Sequence, residues 1–102
     1  FEKGVTDSWA SNLNIIDCLG FLKGNNCPHF NSELDRRPFV HKFILDDKID
    51  SCYASDDGSA IHFKNSKVYK SISFYKNAKS YIVKIDSNDK VVEEVMSGTS
   101  LI

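Results

Sequence analysis

The sequence predicts an α+β fold: one N-terminal amphipathic helix packed on a sheet of about five or six mostly antiparallel strands. Three observations carry that expectation. Trp9, Leu13, Ile16 and Gly20 recur at helical spacing near the N-terminus. Polar and apolar residues then alternate with period 2 through most of residues 38–97. Turn-forming pairs such as Asp57-Gly58 divide that second region into short runs.

At 102 residues the chain reads as a single domain, 1–102, with a helix over about 7–23, a loop over 24–37 and strands within 38–97. Thr6 or Asp7 offers a side-chain oxygen to cap the helix start. Ala10, Leu19 and Leu22 widen its apolar stripe, and Lys23 followed by Gly24 makes a favourable stop. Residues 25–38 hold both prolines, Pro28 and Pro38, and a charged run, which reads as loop with one helical turn at 32–36. Strands are expected at 39–45, 49–55, 59–64, 67–75, 79–86 and 90–96, with 98–102 as a loose tail. Along the fourth of these, Val68, Ile72 and Phe74 share the parity that seeks a core, together with Trp9, Leu13, Ile16 and Leu19 of the helix.

The composition, 41% hydrophobic and 26% charged, is that of an ordinary soluble globular domain. No apolar run reaches the ~20 residues that span a bilayer, so no membrane partner is expected. Phe1 is not an initiator methionine, which reads as a processed form or a domain excised from a longer chain. Cys18, Cys27 and Cys52 are odd in number, with no Cys-x-x-Cys pair, and the chain has no Asn-x-Ser/Thr sequon. Reduced thiols in a reducing compartment fit that pattern, and no metal or cofactor is expected.

Charge is segregated. Residues 31–58 sum to −3, whereas residues 59–90 sum to +5. Between Ser59 and Asp86 stand six lysines, Lys64, Lys67, Lys70, Lys76, Lys79 and Lys84, with Phe63, Tyr69, Phe74, Tyr75 and Tyr81 among them. The acids Asp46, Asp47, Asp50, Asp56 and Asp57 offer these lysines cross-strand partners. If the lysines instead face solvent, a basic, aromatic-bearing sheet face points to RNA as partner.

On that face His62, Lys64 and Tyr69 are the candidate catalytic residues of a metal-independent, toxin-type ribonuclease: a general base, a cation for the phosphorane and a hydroxyl. Lys67, Lys70, Lys76, Lys79 and Lys84 are the candidate RNA contacts, joined by Arg36 and Arg37 as a guanidinium clamp. The rival reading is a non-enzymatic protein-interaction module of inhibitor, immunity or effector type, docking a protein partner through its sheet or an edge strand. The helix-then-sheet order is shared by both kinds of domain.

His41, between Phe39 and Phe43, reads as a core or edge residue. His29 stands beside Cys27 without an evident orienting partner. Glu93 and Glu94 are adjacent on a strand and so face opposite ways. Glycine-rich phosphate loops, Gly-x-Ser-x-Gly and His-Glu-x-x-His are absent from the sequence, so nothing in it points to nucleotide hydrolysis, serine hydrolysis or zinc proteolysis.

Overall fold

The computed structural model describes residues 1–7 and 13–101, which form nine strands and one helix. β1 (Lys3–Asp7) and β2 (Leu13–Asp17) pair antiparallel, and β1 also pairs in parallel with β3 (Asn25–Cys27). The helix α1 (Arg36–Leu45) then crosses to β4 (Ser51–Ser55), which lies parallel to β3. β5 (Ser59–Lys64) and β6 (Lys67–Ser73) form a hairpin; β7 (Ser80–Ile85) returns to β4, and β8 (Val91–Val95) pairs with β7. β9 (Gly98–Ser100) adds in parallel to β6. The result is a six-stranded sheet, β2-β1-β3-β4-β7-β8, and a three-stranded sheet, β5-β6-β9. No helix among the described residues is long and apolar enough to cross a membrane.

The fold is therefore mostly β, with two mixed sheets and one short helix, and the expected N-terminal helix on an antiparallel sheet is wrong. Trp9 lies outside the described residues, as do the others of 8–12. In the rest of the expected helix, Leu13 is buried and Ile15 packs against the core, whereas Ile16 is half-exposed and Leu19 is 85% exposed. Burial thus follows i, i+2 rather than i, i+4. The β-branched Val5, Ile15 and Ile16 suit a pleated ribbon better than a helix.

The converse error concerns 39–45, expected as a strand. Here Arg36, Val40 and Ile44 are the buried residues, four apart, with Phe39 and Phe43 packed beside them on the next row. Pro38 was expected at the end of a loop. It occupies the first helical turn, where its missing N–H has no intrahelical acceptor to lose. At the other end the Lys48 N–H donates to the Phe43 carbonyl and the Asp47 N–H to that of Ile44, with Asp47 at φ +56°. That is a Schellman closure with aspartate in the left-handed position that glycine usually fills.

The core lies between α1 and one face of the large sheet: Val5, Leu13, Cys27, Phe30, Val40, Ile44, Ile49, Cys52, Ala54 and Val83. Val68 and Phe74, expected there, are 38% and 46% exposed. The three cysteines are free thiols, Cys18 exposed and the other two buried. Burial pushes the Cys27 thiol up to about 11 and the Cys52 thiol further still, so both remain protonated packing groups.

Further along, the expected strands at 49–55, 59–64, 67–75, 79–86 and 90–96 correspond to β4 to β8 within a few residues. Asp57-Gly58 does make a turn, with Ser59 N–H donating to the Asp56 carbonyl, but it joins strands of two different sheets. The tight hairpin turn is Asn65–Ser66, both at positive φ, the twist a two-residue connection requires. Residues 98–100 are no loose tail: Gly98 sits so close to the Ser71 backbone that a side chain would collide with it.

Candidate active site

Three parallel strands, β1, β3 and β4, end at the same edge of the large sheet, at Asp7, Cys27 and Ser55. In sheets of this kind the crevice beyond the carboxyl ends is where ligands bind. Cys27 and Ala54 are the last paired residues of β3 and β4, so the chain after each strand emerges beside the other. From β3 comes Pro28-His29-Phe30; from β4 comes Asp56-Asp57-Gly58.

His29 and Asp57, 28 residues apart in sequence, meet there with Nδ1 to Oδ1 at 2.6 Å. His29 adopts φ +56°, a left-handed conformation that costs a non-glycine residue roughly 1–3 kcal/mol. The surroundings hold it. Phe30, 1% exposed, plugs into the core under the Arg37 guanidinium, 4.5 Å above its ring. The Phe30 N–H donates to the Ser55 carbonyl at 3.0 Å, which ties the two loops together. The Glu33 N–H closes a turn on the His29 carbonyl, and Arg36 fixes that turn from below, donating to the Glu33 carboxylate and to the Val5 carbonyl.

On the other loop, Asp56 is buried and accepts from the Lys79 N–H at 3.0 Å. Gly58, at φ +80°, carries the Tyr75 ring against its α-carbon where any side chain would clash. Asp57 is thereby bracketed by two fixed neighbours. Its carboxyl is held below the usual carboxylate range, first by the Ser32 hydroxyl and then by His29. Both side chains of the pair remain about half exposed, at 51% and 45%. A histidine whose Nδ1 rests on an ionised carboxylate keeps Nε2 available to take a proton, the arrangement of a general base with its orienting group.

The expected site lies elsewhere and is partly assembled. His62 and Tyr69 stack edge to face at 5.1 Å, and the Lys64 and Lys70 ammoniums sit 5.4 and 5.6 Å from the Tyr69 ring. The lysines are not carried by one sheet, because β5 and β6 belong to the small sheet and β7 to the large one. Lys67 faces Lys64 across the hairpin, whereas Lys84 pairs with Glu94 at 3.0 Å. Lys76 and Lys79 lie between the strands, exposed. Arg36 is buried, and Arg37 donates to Glu93, which His41 also contacts. Both guanidiniums are engaged inside the protein instead of forming a loop clamp. Glu93 and Glu94 do face opposite ways, toward α1 and toward Lys84.

A separate polar cleft of about 260 Å³ lies among Lys3, Asn25, Lys48 and Asp50, at the opposite ends of the parallel strands. Its polar groups mostly serve the fold: Lys3 pairs with Asp17, and Asp50 accepts from Asn25 and from the Ser51 N–H. This cleft and the His–Asp pair are thus at different ends, and the hydrogen-bonded pair is the stronger candidate.

Residues 1–71 match the sequence model described as peptidase family S51. The protein named uncharacterized peptidase YgaJ, from Bacillus subtilis (strain 168), is 47% identical over 83 residues, which make up 81% of this chain and 36% of that protein. The chain thus spans little more than a third of the length of this relative. No solved structure matches. His29 and Asp57 both fall within the matched segment, as do His62, Lys64 and Tyr69. These similarities overturn the RNA-engaging, toxin-type ribonuclease reading, and the rival interaction-module reading with it: they point to a peptidase. The lysines and aromatics behind that reading are divided between two sheets. The absence of a hydrolase motif from these 102 residues did not count against a peptidase, since the relative is much longer.

Proposed function

The chain belongs to peptidase family S51, and from that premise we propose that it carries the acid–base part of a peptide-hydrolysing centre, with His29 as general base and Asp57 as its orienting carboxylate. The observation that supports this reading is the 2.6 Å contact between His29 Nδ1 and Asp57 Oδ1 at the carboxyl ends of two adjacent parallel strands. In the proposed step, His29 Nε2 accepts the proton of the attacking hydroxyl or thiol as that group adds to the scissile carbonyl. The Asp57 carboxylate accepts the Nδ1 hydrogen and stabilises the imidazolium, which then returns its proton to the leaving amine. The attacking group belongs, on this reading, to the part of the longer relative that these residues do not represent.

The test is peptide hydrolysis by the intact protein. His29→Ala and Asp57→Asn should each lower kcat roughly 10²–10⁴-fold, the usual worth of a positioned base, with KM little changed. Parent-like turnover in either variant would refute the assignment.

A further inference from the structure

Neither His29 nor Asp57 is held by packing, since both side chains are about half exposed. A rotamer that packing does not lock must be fixed by hydrogen bonds. Those bonds come from the residues immediately following His29. The Asn31 side-chain carbonyl accepts the Asp57 backbone N–H at 3.0 Å. The Ser32 hydroxyl, next along the same turn, favours the ionised form of the Asp57 carboxyl. Between them, the turn closed by the Glu33 N–H on the His29 carbonyl fixes the spacing of residues 29 to 33, and Phe30 anchors that turn to Ser55 on β4. One short segment, 29–33, therefore presents the imidazole and also holds the main chain of the aspartate that orients it.

We infer that Asn31 and Ser32 are positioning residues of the peptidase centre: together they hold Asp57 so that its Oδ1 stays on His29 Nδ1 and Nε2 faces the substrate. This rests on the proposed roles of His29 and Asp57 but adds two residues that touch no reacting atom. The chemistry is that of an outer shell. Asn31 fixes where the Asp57 main chain runs. The Ser32 hydroxyl beside it favours the ionised form of the carboxyl. Loss of such support typically lowers activity 10–100-fold.

The experiment uses the intact protein with Ser32→Ala, Ser32→Thr and Asn31→Ala. Two readouts are taken: peptide hydrolysis, and titration of the Asp57 carboxyl carbon by NMR. Ser32→Ala should raise the Asp57 midpoint toward the ordinary aspartate range and cut kcat about 10–100-fold at unchanged KM. Ser32→Thr, which keeps the hydroxyl, should restore both. Asn31→Ala should lower kcat with a smaller change in the Asp57 midpoint. Both residues are exposed, so thermal midpoints at neutral pH should stay close to the parent's.

An unmoved Asp57 midpoint in Ser32→Ala would overturn the inference, and so would a moved midpoint with unchanged kcat. If His29→Ala keeps full activity, the underlying reading fails instead. The NMR arm still reports separately whether Ser32 holds the carboxylate.

Discussion

The β5–β6 hairpin and the loops after β3 and β4 each present an exposed histidine, and of these two only the second meets a carboxylate among the described residues. On the β5–β6 hairpin, His62 lies against the Tyr69 ring, directly across from Lys70. Lys64 and Lys70 stand beside the same Tyr69 ring. At the end of β3, His29 stands on the Asp57 carboxylate at 2.6 Å, a contact made between two loops by parallel strand pairing. The hairpin is richer in residue types that catalysis uses, yet among the described residues no carboxylate is hydrogen-bonded to its imidazole. The loop pair is sparse, strained at His29 and tied together by hydrogen bonds. Composition locates reactive groups, but long-range hydrogen bonds decide which of them is aligned.

The comparison breaks most readily in kinetics. His29→Ala should remove roughly 10²–10⁴-fold of peptide hydrolysis, whereas His62→Ala should leave kcat/KM within about twofold of the parent. Equal losses, or a larger loss at His62, would move the centre to the hairpin.

A second contrast concerns what each region rests on. Ile44 is 1% exposed beneath the sheet that carries the His–Asp pair, and Val68 on the hairpin is 38% exposed. Ile44→Ala should cost about 2–5 kcal/mol in urea unfolding, through lost burial and a residual cavity. Val68→Ala should cost roughly 0.5 kcal/mol or less. Similar values for the two would mean that the core is misplaced.

The smallest expected effect is on acid stability. Asp57 has its folded pKa lowered by Ser32 and His29, below an unfolded value of ~3.9. Its bonds therefore stabilise the fold fully above that value, and the contribution disappears as pH falls through the folded pKa. Thermal midpoints measured from pH 6 down to pH 2 should decline less steeply in Asp57→Asn than in the parent. His62→Ala should follow the parent's curve, and a parent-like curve for Asp57→Asn would remove the acid linkage.

Much of the strand content was legible. The alternation through 51–55, 59–64 and 80–85 and the turns between these runs are local signals, and they recur in β4, β5 and β7. The errors have local causes too. Leu13 and Ile16 are three apart, as on a helix, but Leu13 and Ile15 are the pair that turns inward, and a short ribbon fits both spacings. In α1, Phe39, His41, Phe43 and Leu45 alternate like a strand, while Val40 and Ile44 keep the helical row that is buried.

The site was harder to read because His29 and Asp57 become neighbours only through the parallel pairing of β3 and β4, with a helix between them. The one signal available was the order of elements. Had 36–45 been read as a helix between two strands, the strand ends would have been placed side by side, and with them Pro28-His29 and Asp56-Asp57.

The central claim is that His29 and Asp57 work as one unit, and a double-mutant cycle on peptide hydrolysis tests it most directly. His29→Ala, Asp57→Asn and the double variant are compared by kcat in the intact protein. Groups that act only together are non-additive, so the double variant should be about as slow as His29→Ala alone. Losses that instead multiply, with the double variant slower by the product of the two single effects, would show that His29 and Asp57 act independently and would contradict the account.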